Sequence, residues 1–90
     1  MALLVDEAHW PWRGLQWCHL ISDTSLHELH AFAEWIGVPR RGFQGDHYDI
    51  PEHMRVIALE EGAIAVASRE IVLALRAAGL RTAYNRRRAP

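Results

Sequence analysis

Three glycines each close an apolar-faced segment, and that punctuation restricts the chain to a fold with three short helices. In "SLHELHAFAEWIGVP", Ser25 and Glu28 stand at capping-box spacing, and Leu26, Leu29, Phe32, Ala33 and Ile36 share one helical face. Gly37 fits the left-handed position beyond a helix end, and Pro39 acts as a stop. A second helix is expected from the Asp49 and Glu52 pair, again at capping-box spacing. Pro51 sits in its first turn, and Met54, Ile57 and Ala58 lead on to Gly62. The third, "SREIVLALRAAGL", opens with Ser68 as its N-cap and ends at Gly79, with Leu75 and Leu80 spaced for a Schellman ending.

Short apolar runs lie between these helices. "ALLVD" and "AIAVA" read as buried strands, "WCHLIS" and "RRGFQ" as further strands, and "LRTAY" as a last edge strand. "EAHWPWRGLQW" reads as a long aromatic loop whose tryptophans either pack together or wall a ligand. The succession of strands and helices implies an α/β fold, with a small mixed, partly parallel sheet of four to five strands, three helices and cover on both faces. The 90 residues suit a single domain, taken as 1–85, with 86–90 as a basic tail. So small a chain buries a modest share of its surface, and a homodimer is expected on that ground.

The formal net charge of -1 argues against a general nucleic-acid binder, although Arg86, Arg87 and Arg88, with Arg40 and Arg41, form basic clusters. All ten basic residues are arginine, a bias that suits either GC-rich coding or recognition of phosphate and carboxylate. Cys18 is the single cysteine, so no internal disulfide forms and a reducing compartment is expected. Neither a signal peptide nor a membrane span is evident, and a cytoplasmic protein is the expectation.

In open α/β sheets, ligands sit outside the carboxyl ends of the strands. Asp6 closes the first strand there, as an acid/base, a metal ligand or a turn residue. His19 alternates with Trp17 and Ile21 on one face of the second strand. The stretch "FQGDHYDIPEHM" adds Asp46, His47, Tyr48, Asp49 and His53. Imidazole with carboxylate suits a divalent transition metal, so Asp6, His47, Asp49 and His53 are candidate ligands, though their spacing matches no established metal motif. His47 as a metal-free acid or base and Asp49 as a plain helix cap remain open. Arg69 lies in a first helical turn, where a cation opposes the helix dipole unless an anion sits there. Ser68 and Arg69 are therefore candidate anion ligands, with Arg13 as another.

The chain resembles the small bacterial and phage proteins of domain of unknown function family 4031 over nearly its whole length. The resemblance is carried by the early "LVD", the "WPW" loop with Gly14, "WCHLISD", "GDHYDIPEH" and "SREIV". It implies a shared fold and brings no catalytic assignment. The residues themselves point first to an enzyme, a hydrolase or phosphoesterase acting on a small phosphorylated or nucleotide-like substrate, with a divalent metal as its candidate cofactor. His47, Asp6, Asp49 and His19 would carry the chemistry. The alternative is a non-catalytic module that binds a nucleotide, a metabolite or a partner protein.

Overall fold

The structure, a computed structural model, describes residues 2–81. Its elements are β1 (Leu3–Val5), β2 (Trp10–Trp12), β3 (Leu15–Ser22), α1 (Leu26–Ile36), β4 (Tyr48–Pro51), α2 (Glu52–Glu60), β5 (Ile64–Ala65) and α3 (Ser68–Ala77). The five strands form one mixed sheet, so the expected α/β class with three helices holds. The arginine tail, and "LRTAY" beyond Arg81, lie outside the described residues.

β3 is the spine. β1 pairs antiparallel with its second half, Leu20–Ser22, and β2 with its first, Leu15–Trp17. The N–H of Asp6 donates to the His19 carbonyl and that of His9 to the Trp17 carbonyl, so β1 and β2 run along the same edge of β3 as one interrupted strand. β4 pairs antiparallel along the opposite edge, setting Asp49 against His19 and Pro51 against Trp17. β5 pairs parallel with β1. That pairing brings the residues after both strands, Asp6 and Ser68, to one end of the sheet.

Alternation along β3 sorts the two faces. Cys18 and Leu20 point into the main core with Val5, Tyr48 and Ile50, covered by Leu29, Ala33 and Ile36 of α1 and Ala58 of α2. Ile21 points the other way, into a smaller cluster with Ile71 and Leu75 of α3. Trp17 and His19 share Ile21's face and stay partly exposed. Cover on that face is therefore partial, and the part left open carries the polar residues described below.

All three helices end in Schellman geometry. The N–H groups of Val38, Ala63 and Leu80 reach back to the carbonyls of Ala33, Ala58 and Leu75. Gly37, at φ 89°, supplies the left-handed residue that a side chain would strain. The helix starts differ more from expectation. Ser25 does cap α1, accepting from the Glu28 N–H. The other half of the box is absent, because Glu28 accepts from the Ser22 hydroxyl, and the Ser25 N–H donates to that same hydroxyl. At α2 the difference is larger. Tyr48–Pro51 is a strand, the helix begins at Glu52, and Asp49 is no cap. The fixed φ of Pro51 suits the end of an edge strand as well as a first turn, so its signal was ambiguous. Ile57 lies at the rim of α2 and is exposed, while Ala58 is the residue buried. Ser68 is the first residue of α3, and its hydroxyl serves Asp6 in place of the helix end.

One loop expectation and two strand expectations also change. The aromatic loop is a β-hairpin turned by Arg13 and Gly14, both at positive φ (49° and 76°), as a two-residue hairpin turn requires. "RRGFQ" forms a 3₁₀ turn, Arg40–Gly42, followed by a single bridge from Phe43 to Tyr48. "AIAVA" contributes only Ile64–Ala65, an exposed edge strand rather than a buried one.

Candidate metal centre

The interruption between β1 and β2 leaves Asp6 fully buried beside His19. Its Oδ1 accepts the His19 backbone N–H at 2.7 Å, and its Oδ2 accepts His19 Nδ1–H at 2.7 Å and the Ser68 hydroxyl at 2.8 Å. Arg55 Nε donates to the Asp6 carbonyl at 2.7 Å. Burial alone would raise the Asp6 pKa, but the hydrogen bonds from His19 and Ser68 outweigh it and hold the carboxyl below its ordinary range. An ionised carboxylate only accepts, so the proton on His19 is at Nδ1 and the lone pair at Nε2. The first turn of α3 thus faces the chain's own carboxylate, a favourable partner for the positive end of a helix.

His47 is held in the same way. Its Nδ1 lies 2.7 Å from Asp46 Oδ1, and Arg81 clamps Asp46 with Nε to Oδ2 at 2.7 Å and a terminal nitrogen to Oδ1 at 2.9 Å. The other ring nitrogen, Nε2, lies 3.2 Å from Asp49 Oδ1. Burial would lower the His47 pKa, but the hydrogen bonds and charges of Asp46 and Asp49 push it up to about 9. Asp46 is pulled down to about 2 in spite of its burial, by His47 and Arg81.

The two imidazoles meet edge to face at 5.1 Å. Ligand atoms of His19, His47 and Asp49 all lie within 4.8 Å of one another, close enough for one ion. Each imidazole carries a carboxylate on its Nδ1, the outer-sphere arrangement that orients histidine ligands at metal centres. Two imidazoles and one carboxylate on one side of an ion leave its remaining positions open.

The other sequence candidates are placed as follows. Asp6 stands behind His19 as its hydrogen-bond partner. His53 is exposed in the first turn of α2, lining a cleft that also touches Asp49. Ser68 contacts Asp6, and Arg69 is exposed beside it. Arg13 sits at the hairpin tip with its guanidinium 4.7 Å over the Trp12 ring. Arg55 and Arg81 were not among the candidates, and Asp46 was noted beside His47 without a ligand or catalytic role. Asp46 adjoins His47 and was within reach of sequence reasoning, whereas Arg55 and Arg81 act across 49 and 35 residues with no local signal.

Tryptophans border the centre. Trp10 stacks on Trp17 at 5.9 Å and 22°, and Trp12 meets Trp17 edge-on at 5.4 Å. The Trp17 indole N–H donates to the Trp12 carbonyl. The buried Trp10 N–H has no acceptor among the described residues, a state that costs ~1–3 kcal/mol.

No curated protein and no solved structure matches this chain. A protein family does: residues 3–78 match the family described as Protein of unknown function (DUF4031), and the chain belongs to it.

Proposed function

We propose that this member of the DUF4031 family is a divalent-metal hydrolase, in which His19, His47 and Asp49 hold a zinc-class ion and the open positions carry water and substrate. The observation that carries this reading is the convergence of three ligand atoms within 4.8 Å, two of them on imidazoles braced by carboxylates. Three carboxylates, Asp6, Asp46 and Asp49, surround the two rings, and with Asp46 paired to Arg81 it is Asp49 that faces the ligand position with its charge. The proton that His47 holds between Asp46 and Asp49 marks a point where positive charge is already favoured. A metal ion there takes the proton's place.

The chemistry is water activation. A bound ion would lower the pKa of its water to about 7 and supply hydroxide near neutral pH, with the proton released to solvent. On a phosphomonoester that hydroxide would attack phosphorus as the bond to the leaving oxygen breaks, and solvent would protonate the leaving oxygen. The products are an alcohol and phosphate.

Zinc titration of chelated protein, followed by phosphoester hydrolysis assays, tests this. One ion per chain with turnover is expected, and both are lost in His47→Ala. Absence of zinc binding in the correctly folded wild-type protein would sink the reading. Zinc binding with no hydrolysis would reduce the centre to a structural or binding role.

A further inference from the structure

Beside Asp49 opens a cleft of about 660 Å³, a size that suits a small organic ligand. Its walls include the three indoles of the hairpin, Trp10, Trp12 and Trp17, together with Arg41, Gln44 and Asp49. We propose that this cleft holds the base of a nucleoside monophosphate whose phosphate reaches the ion at His19, His47 and Asp49. The phosphate end rests on the metal-hydrolase reading, and the base end does not.

Flat, apolar indole surface beside a small set of polar groups is what an aromatic heterocycle requires. Base–aromatic stacking needs only a π-face, and the hairpin presents indole faces that the core does not cover. Trp12 lines the cleft and is 53% exposed, with the Arg13 guanidinium over one face of its ring. Gln44 offers both a donor and an acceptor for the edge of a base, and Arg41 offers donors. Asp49 belongs to both the ion centre and the cleft, so a ring seated on the indoles lies next to the reacting group. A free phosphate would leave the cleft unfilled, and an aliphatic ester would leave the indoles unused. A single nucleotide suits the cleft better than a strand, because among the described residues only Arg41 lines this wall as an arginine, with Arg13 over Trp12, and the chain carries a net charge of -1.

Intrinsic tryptophan fluorescence of the full chain, zinc-loaded and chelated, tests the proposal against nucleoside monophosphates, the matching nucleosides and inorganic phosphate. Nucleosides should quench equally with and without zinc. Monophosphates should quench in both forms and bind more tightly with zinc, and inorganic phosphate should not quench. Trp12→Ala should weaken monophosphate binding about tenfold while zinc affinity is unchanged, and Trp12→Phe should restore much of the loss. The proposal is overturned if no base-containing ligand quenches, or if Trp12→Ala binds as the wild type does. A single-stranded oligonucleotide binding far more tightly than any monophosphate would overturn the choice of a single nucleotide. Quenching in a protein that takes up no zinc would support the base site and remove the metal reading. Zinc uptake without quenching would do the reverse.

Discussion

Asp6 holds His19 at two points, its Oδ1 on the backbone N–H and its Oδ2 on the ring Nδ1–H, each at 2.7 Å. One side chain thereby sets both the strand position of His19 and the nitrogen that carries its proton.

Asp6→Asn is therefore expected to do more than remove a charge. The amide can still accept from the backbone, but its NH₂ then meets the donors of His19 and Ser68. Relief comes if His19 moves its proton to Nε2, which takes the lone pair away from the proposed ion site. Zinc affinity should fall roughly 10–100-fold, and stability by about 2 kcal/mol. Calorimetric zinc titration and ¹⁵N tautomer assignment of His19 check this, and an unchanged affinity would falsify the outer-sphere role.

The metal-free protein should lose stability in mildly alkaline solution. The folded pKa of His47 is about 9, against an ordinary 6.5. The folded state thus holds its proton more tightly than the unfolded chain. The stabilisation is fully present below pH 6.5 and is lost as pH rises through 9, an effect on the order of 3 kcal/mol. Asp46 works in the opposite sense, with a folded pKa of about 2 and an ordinary value of 3.8. Its stabilisation is present above pH 3.8 and is lost as pH falls through 2. Both shifts draw on the same contact, so the two effects do not simply add. Urea midpoints measured from pH 6 to pH 10 should decline in the wild type and stay level in His47→Gln.

Ser68 distinguishes a helix cap from a carboxylate partner. Ser68→Ala should cost about 1 kcal/mol. In an Asp6→Ala background the same change should cost almost nothing, because the lost bond is to Asp6 Oδ2. Equal costs in both backgrounds would show that Ser68 serves the helix end itself.

Gly14→Ala should destabilise the hairpin by about 1 kcal/mol, since φ there is 76° and alanine is strained in that region. Space is not the obstacle, as nothing lies within 4 Å of an added Cβ. Melting temperature should fall by several degrees with zinc affinity retained.

Much of the helical framework was legible because it is written in local chemistry. Gly37, Gly62 and Gly79 each mark an end that only neighbouring residues determine. The hairpin was not legible, because Arg13–Gly14 lacks the usual Asn or Asp and Pro11 argues against a strand. The structure tolerates Pro11 because β2 lies at a sheet edge. β4 was hidden for a related reason: "DIPE" fits a capped helix start as readily as a strand leading into one. His19, His47 and Asp49 were all candidates, yet their grouping depends on β4 pairing with β3 in one register, which sets Asp49 opposite His19. Spacing along the chain does not encode that register.

The grip on Asp6 comes from residues 13, 49 and 62 positions away. Contacts so distant in sequence carry a loop-closure cost that local turns and helix ends do not. The hairpin and each helix can take shape without completing this centre, which is expected to assemble late. A ligand that recognises only the finished centre should therefore leave the folding rate nearly untouched and act on the reverse step. In the cell, such a ligand would lengthen the lifetime of molecules already folded and would do little to rescue those that have yet to fold.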